Sequence, residues 1–300
     1  MIYLDTIENY LLSLQSNLIN RVENEEEKVK FLHDAWEFKT GGGGISCVIA
    51  DGSVMEKGGV NFSRIKGPAL PKAVLEMKPE LTGYHYEVMG VSVVMHPLNP
   101  YVPTSHMNVR FFYAEKEGAS PIWWFGGGYD LTPYYAFEED CKNWHQSAYN
   151  ACKDFGDDIY DTYKTKCDEY FYLPHRNEQR GIGGIFYDYL NQWSFDECFS
   201  FMQSVGNTYV DAYIPIVAKR KQTHFGESER NFQLYRRGRY AEFNLIYDRG
   251  THFGLQNNGR TESILMSLPP VVNWLYNYQV EPGSKEAELT EKYLIKRKWL

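Results

Sequence analysis

The sequence predicts an α+β fold in layers, with antiparallel strands interspersed among helices rather than a doubly wound parallel sheet. Three observations carry that expectation. Residues 90–111 contain two alternating runs: Ser92, Val94 and His96 oppose Val91, Val93 and Met95, and His106, Asn108 and Arg110 oppose Met107, Val109 and Phe111. Successive strand residues point to opposite faces, so each run has one polar-bearing face and one apolar face. Between the runs, Pro97, Pro100 and Pro103 block the ladder and stiffen the link, which makes a long hairpin with a rigid tip. A second hairpin is signalled by the strand-like runs on either side of Asp51-Gly52. Helical spacing appears at the amino end and again in long blocks after residue 133.

Taken in order, Ile7, Tyr10, Leu11, Leu14 and Leu18 lie on one face of an opening helix, with Asp5 and Glu8 as a capping box and NEEEKVK as its solvated continuation. Gly41 to Gly44 lack the Gly-Lys-Ser/Thr of a phosphate loop, so they are expected as a flexible lead into a strand or a mobile flap. Met77 to Tyr86 fits neither period. PIWWFGGG predicts a short aromatic strand. Thr132 and Pro133 then suit the N-cap and first position of a helix running to about Asp154, with Phe137, Cys141, Trp144, Ala148 and Ala151 along its buried stripe. That places Asp130 in a turn. A helix follows over Ile159–Tyr170, and Arg176 and Arg180 precede a strand whose GIGG lacks the strand-to-helix setting of a dinucleotide site. Ser194–Lys221 is expected as a helix interrupted near Pro215. RRGRYAEFNLIYDRG alternates Ala241, Phe243 and Leu245 against Glu242, Asn244 and Ile246, which predicts a strand. Two helical stretches close the chain.

Composition bounds the function. The chain has 300 residues, 43% hydrophobic and 23% charged, with 24 Tyr, 17 Phe and 7 Trp, enough to bury a large core. No linker divides it, so residues 1–300 are expected to form a single domain. A net charge of -8 argues against a nucleic-acid partner and a polybasic membrane surface. No apolar run approaches the ~20 residues of a membrane span. The opening MIYLDTIENYLLSLQ has no basic n-region and no arginine richness, so a cytoplasmic location is expected. Five widely spaced cysteines without a CxxC are expected as reduced thiols rather than a disulfide frame or zinc site.

GVSVVMHPLNPYVPTSHMNVRFF, WWFGGGYDLTPYY, GIGGIFYDYL, RRGRYAEFNLIYDRGTHFGLQNNGR and TESILMSLPP closely resemble the oxygen-dependent coproporphyrinogen III oxidases. The resemblance runs from Gly41 to the carboxyl end. It implies a large antiparallel sheet sandwiched between layers of helices, a homodimer, and oxidative decarboxylation of two propionates of a tetrapyrrole substrate to vinyl groups. Molecular oxygen is the implied co-substrate, with no organic cofactor. By position it implies substrate contacts at Ser92, Asn108, Val109, Arg110, Asn258, Gly259 and Arg260. It makes His106 a proton donor, Asp130 and Arg110 residues that work on the substrate, and His96, His106, His145 and His175 ligands of a divalent metal such as manganese. Where bacterial members have Thr-Gly-Gly-Arg, this chain has Asn257-Asn258-Gly259-Arg260, and asparagine tolerates a left-handed turn.

The residues themselves support part of this. A guanidinium suits bidentate recognition of carboxylates, so Arg110 and Arg260 are sensible clamps, although Arg110 equally suits an internal ion pair. Asp130 can accept a hydrogen bond from pyrrole N–H groups, or it can cap a helix. His96 and His106 lie on matching faces of the hairpin, while on its own each of the four histidines suits a structural or surface role. A tetrapyrrole carrier without catalysis uses the same arginines. A metal-dependent hydrolase is disfavoured by the lack of an HExxH helix.

Overall fold

The structure is a computed structural model that describes residues 3–300. Its centre is a seven-stranded antiparallel sheet made of β1 (Leu32–Glu37), β2 (Gly42–Ala50), β3 (Met55–Gly67), β4 (His85–Pro97), β5 (Thr104–Glu115), β6 (Ile122–Thr132) and a late strand, Gly183–Leu190, which pairs with the free edge of β6. Before that strand come β7 (Tyr172–Leu173) and β8 (Glu178–Gln179), a separate small hairpin, so the edge strand is β9. The helices are α1 (Leu4–Glu25), α2 (Lys72–Met77), α3 (Glu138–Cys152), α4 (Ile159–Tyr170), α5 (Phe195–Arg220), α6 (Glu227–Ile246), α7 (Arg249–Gln256), α8 (Thr261–Leu265) and α9 (Lys285–Glu288). Among the described residues no helix is long and apolar enough to cross a membrane.

The expected hairpin is β4–β5, and its register pairs Ser92 with Asn108 and Val94 with His106, so the two polar-bearing faces coincide. The opposite face is the core: Val91, Val93, Met95, Met107, Val109 and Phe111 are fully buried, in one cluster with Leu11 and Leu14 of α1 and Phe201 and Val205 of α5. Burying side chains of that size contributes ~1.5–3 kcal/mol each. Ser194 caps α5 with a full capping box, and α4 runs over the residues the spacing predicts.

Several expectations are corrected. Asp130 lies in β6, opposite His106, because Gly126 to Gly128 are strand residues rather than a turn. At Gly126 a Cβ would sit 2.8 Å from the Arg110 guanidinium, so the glycine lets that arginine lie flat across β6. Thr132 ends the strand, and α3 starts only at Glu138. The glycine run is likewise mostly strand: a Cβ on Gly44 would meet the Trp36 indole at 2.5 Å. Arg236–Ile246 is helical, within α6. Its apparent alternation fails because Glu242 and Asn244 are buried beside Ala241 and Phe243 while Leu245 is exposed, which is the pattern of a helix covered on most sides. α5 continues through Pro215, which faces solvent, where water can serve the carbonyl that loses its donor. Asp5 and Glu8 sit inside α1 and meet Arg64 of β3 instead of capping. α1 stops at Glu25, and Glu26 turns inward rather than continuing a solvated helix.

Candidate functional site

Pairing across the sheet builds the site in rows. Asp34, Ser46, Asn61, Ser92, Asn108, Gly128 and Phe186 are successive partners on β1 to β6 and β9, and the neighbouring row on that face includes Gly44, Ser63, Gly90, Arg110 and Gly126. One end of this face is covered by α6 and the segment after α8, where Tyr240 and Met266 pack on Val94. The other is covered by the segment around α2, through Leu70 and Leu81 on Phe112. Between the covers Ser92, His106, Asn108 and Arg110 stay half-buried, lining an open trough floored by small residues.

Arg110 donates to Asn108 Oδ1 at 2.9 Å and to Asp188 Oδ1 of β9 at 2.8 Å, so one edge of a cation is organised while its side chain remains 32% exposed. Across the sheet Arg260 donates to Asp34 and, at 3.2 Å, to Ser263 Oγ. Asn258 takes the left-handed conformation expected of it, φ 57°, and so turns the chain that carries Arg260. Three to four strand spacings separate β5 from the β2 and β1 residues that Arg260 meets, ~14–19 Å.

Two rows from Arg110 along β5, His106 Nδ1 meets Asp130 Oδ1 of β6 at 2.9 Å. Asp130 is 1% exposed, and Arg180 Nη2 donates to both of its oxygens at 2.8 Å. Burial alone would raise the Asp130 pKa; the Arg180 charge and the His106 hydrogen bond outweigh it and hold the carboxyl below the usual range. Arg180 itself donates through Nη1 to Asn244 Oδ1 at 3.0 Å, and its guanidinium lies 4.0 Å from the Phe171 ring centre. Asp130 therefore does not reach into the trough. His106 does, with a quarter of its side chain exposed and no protein partner for Nε2 among the described residues.

This trough, with Arg110 and the His106–Asp130 pair along its β5 side and Arg260 across from them, has the equipment to hold a polycarboxylate and move a proton. A sequence model described as Coproporphyrinogen III oxidase matches residues 6–299. The chain belongs to the coproporphyrinogen III oxidase family. It is thereby an oxidoreductase of haem biosynthesis that decarboxylates a tetrapyrrole.

Of the substrate positions implied by the family, Ser92, Asn108 and Arg110 share the trough, and Arg260 reaches its far side. Asn258 and Gly259 form the turn that precedes Arg260, and the Val109 side chain is fully buried on the opposite face. The four histidines do not converge. His96 donates from Nε2 to the Ser267 carbonyl at 2.9 Å and accepts at Nδ1 from Thr104. His145 donates to the Ile182 carbonyl, accepts from Tyr160, and stacks on Trp299, and burial drives its pKa down to about 3. His175 bridges Glu242 and Tyr247 at the edge of α6. With both ring nitrogens of three histidines engaged, and no group of three His, Cys, Asp or Glu placed to hold a metal ion among the described residues, this set does not fit a metal centre.

Arg180, Asn244 and Asp188 belong to the site, although no motif singles them out for it. Strand parity offers a signal for Asp188: Gly184, Phe186 and Asp188 share a parity in GIFYDYL. Arg180 has none, because nothing local says that a basic residue before β9 is buried under α6.

Proposed function

We propose that the protein carries out the oxygen-dependent form of this reaction, converting two propionates of coproporphyrinogen III to vinyl groups and giving protoporphyrinogen IX. For each, the propionic acid and O2 become a vinyl group, CO2 and H2O2, the two electrons leaving the substrate for oxygen. A reduced tetrapyrrole is electron-rich and supplies those electrons itself, so no organic cofactor is needed. The observation that carries this reading is the trough: Arg110 and Arg260 stand far enough apart to hold carboxylates on opposite edges of one macrocycle, with His106 on the same strand as Arg110, two rows along. Arg110 fixes the reacting propionate, and Ser92 and Asn108 contact the ring. His106, backed by Asp130, handles the proton.

We further propose that residues 1–300 act as one domain in the cytoplasm, as a homodimer. Leu245 and Ile246 at the end of α6, Phe253 and Leu255 of α7, and Trp274 beyond α8 are large apolar side chains left between 42% and 59% exposed, which supports a second copy covering them. The oxygen-dependent reading is tested by an assay of coproporphyrinogen III under air and under nitrogen, with the products identified. Vinyl product only under air is expected. Product formed equally without oxygen would remove the oxygen-dependent reading, and binding without any product would leave a carrier.

A further inference from the structure

Building on the porphyrinogen reading, we infer that Asp130 and Arg180 never touch the substrate: they are positioning residues that set which nitrogen of His106 faces it. Both oxygens of Asp130 are taken, Oδ1 by His106 Nδ1 and Arg180 Nη2, Oδ2 by Arg180 Nη2 again. Asp130 and Arg180 are 1% and 2% exposed. Behind them the guanidinium is closed in by Phe171, Tyr240 and Phe243 at 4.0, 4.6 and 4.6 Å from the ring centres, and by Asn244. A ring N–H of the substrate has no route to that carboxylate without breaking a buried ion pair.

The consequence is a fixed tautomer. An ionised carboxylate only accepts hydrogen bonds, so the hydrogen between His106 and Asp130 sits on Nδ1, and the neutral ring presents the Nε2 lone pair to the trough. Phe171, edge-on at 5.9 Å, backs the ring from the side. In the step we assign to it, Nε2 takes the proton of a pyrrole N–H: the N–H bond breaks, its electron pair stays on the pyrrole nitrogen, and a new Nε2–H bond forms. Asp130 stabilises the resulting imidazolium, as a buried carboxylate does for histidine in other dyads. Arg180 bridges both oxygens through a single nitrogen, which holds the plane of the carboxylate and keeps it charged.

A double-mutant cycle tests this. His106→Ala and Asp130→Asn are each expected to lower kcat about a thousandfold, and the double variant is expected to be within about threefold of His106→Ala, since Asp130 has nothing to act through once the imidazole is gone. A further drop of thirtyfold or more in the double variant would show that Asp130 meets the substrate directly and overturn the inference. Substrate affinity measured under nitrogen, where turnover is blocked, is expected to stay within threefold in Asp130→Asn. Arg180→Lys, which keeps the charge but not the bridge, is expected to cost tenfold or more in kcat with KM within twofold.

Should a variant fail to fold, 15N NMR of the unaltered protein decides: the neutral His106 ring is expected to carry its proton on Nδ1, and a proton on Nε2 sinks the proposal. The aerobic assay stands apart from all of these. Its failure with the Nδ1 tautomer present removes the porphyrinogen reading and leaves the dyad, while its success with additive variants does the reverse.

Discussion

Glu26 and Asp130 are both buried carboxylates held below the usual range, yet they serve different ends. Glu26 lies just past α1 and accepts from the backbone amides of Ser53, Val54 and Met55 at 2.7, 2.8 and 3.0 Å. Burial alone would raise its pKa; the Ser53 hydroxyl and those amides outweigh that and bring it to about 2. Every one of these partners is fixed backbone or a local hydroxyl, so the residue clasps the β2–β3 turn to the end of α1. Asp130 is bound by two side chains, and one of them, His106, is a quarter exposed and has no partner for Nε2 among the described residues. Burial and a depressed pKa thus do not separate a functional carboxylate from a structural one. The chain of hydrogen bonds that leaves it does.

That contrast breaks or sharpens under mutation. The largest effect belongs to Asp130→Asn, where a thousandfold fall in kcat corresponds to about 4 kcal/mol of lost transition-state stabilisation. Glu26→Ala is expected to show the opposite signature: roughly 3 kcal/mol lost in urea unfolding, from several amides left without an acceptor, with kcat of the folded enzyme within twofold. If Glu26→Ala abolished turnover without loss of stability, the distinction between the two carboxylates would fail. Arg110→Ala should fall between, raising KM tenfold to fiftyfold, roughly 2 kcal/mol, with little change in Tm because the partner Asp188 is half-exposed and can rehydrate.

The smallest effect is acidification. Both carboxylates have folded pKa values below their unfolded ones, so the stability they contribute is full above pH ~4.5 and is lost as pH falls through the folded value. For Glu26 the window runs from about 4.5 down to about 2, and the loss is roughly 2 kcal/mol once solvent screening is allowed for. Urea midpoints between pH 6 and pH 3 check it: the loss should be absent in Glu26→Gln, and an equal loss in that variant would assign it to other acids.

Much of the site is legible in the sequence because strand parity is a local rule. Parity alone assigns Ser92 and His96 to one face of their strand and His106, Asn108 and Arg110 to one face of the next, and the register brings those two faces together. The same rule misleads at Arg236–Ile246, where alternation by chance resembles a strand in a helix covered on most sides. It also cannot identify Asp130 as a strand residue, because glycines normally announce turns, whereas here Gly126 is small so that Arg110 can cross β6. The metal set expected from the family shows the limit from the other side. Three of the four histidines are held away from His106 by partners that lie far away in sequence: Ser267 for His96, Ile182 and Trp299 for His145, and Glu242 for His175.

By itself, then, the sequence determined the α+β class, the β4–β5 hairpin, the face on which its polar residues meet, and the family, since each depends on periodicity or on motifs carried by contiguous residues. Tertiary structure alone decided that Asp130 is closed off behind His106. That outcome depends on Arg180 and Asn244, 50 or more positions further along the chain, being brought against it by α6, and the free energy of a buried charge is fixed by whatever surrounds it in space.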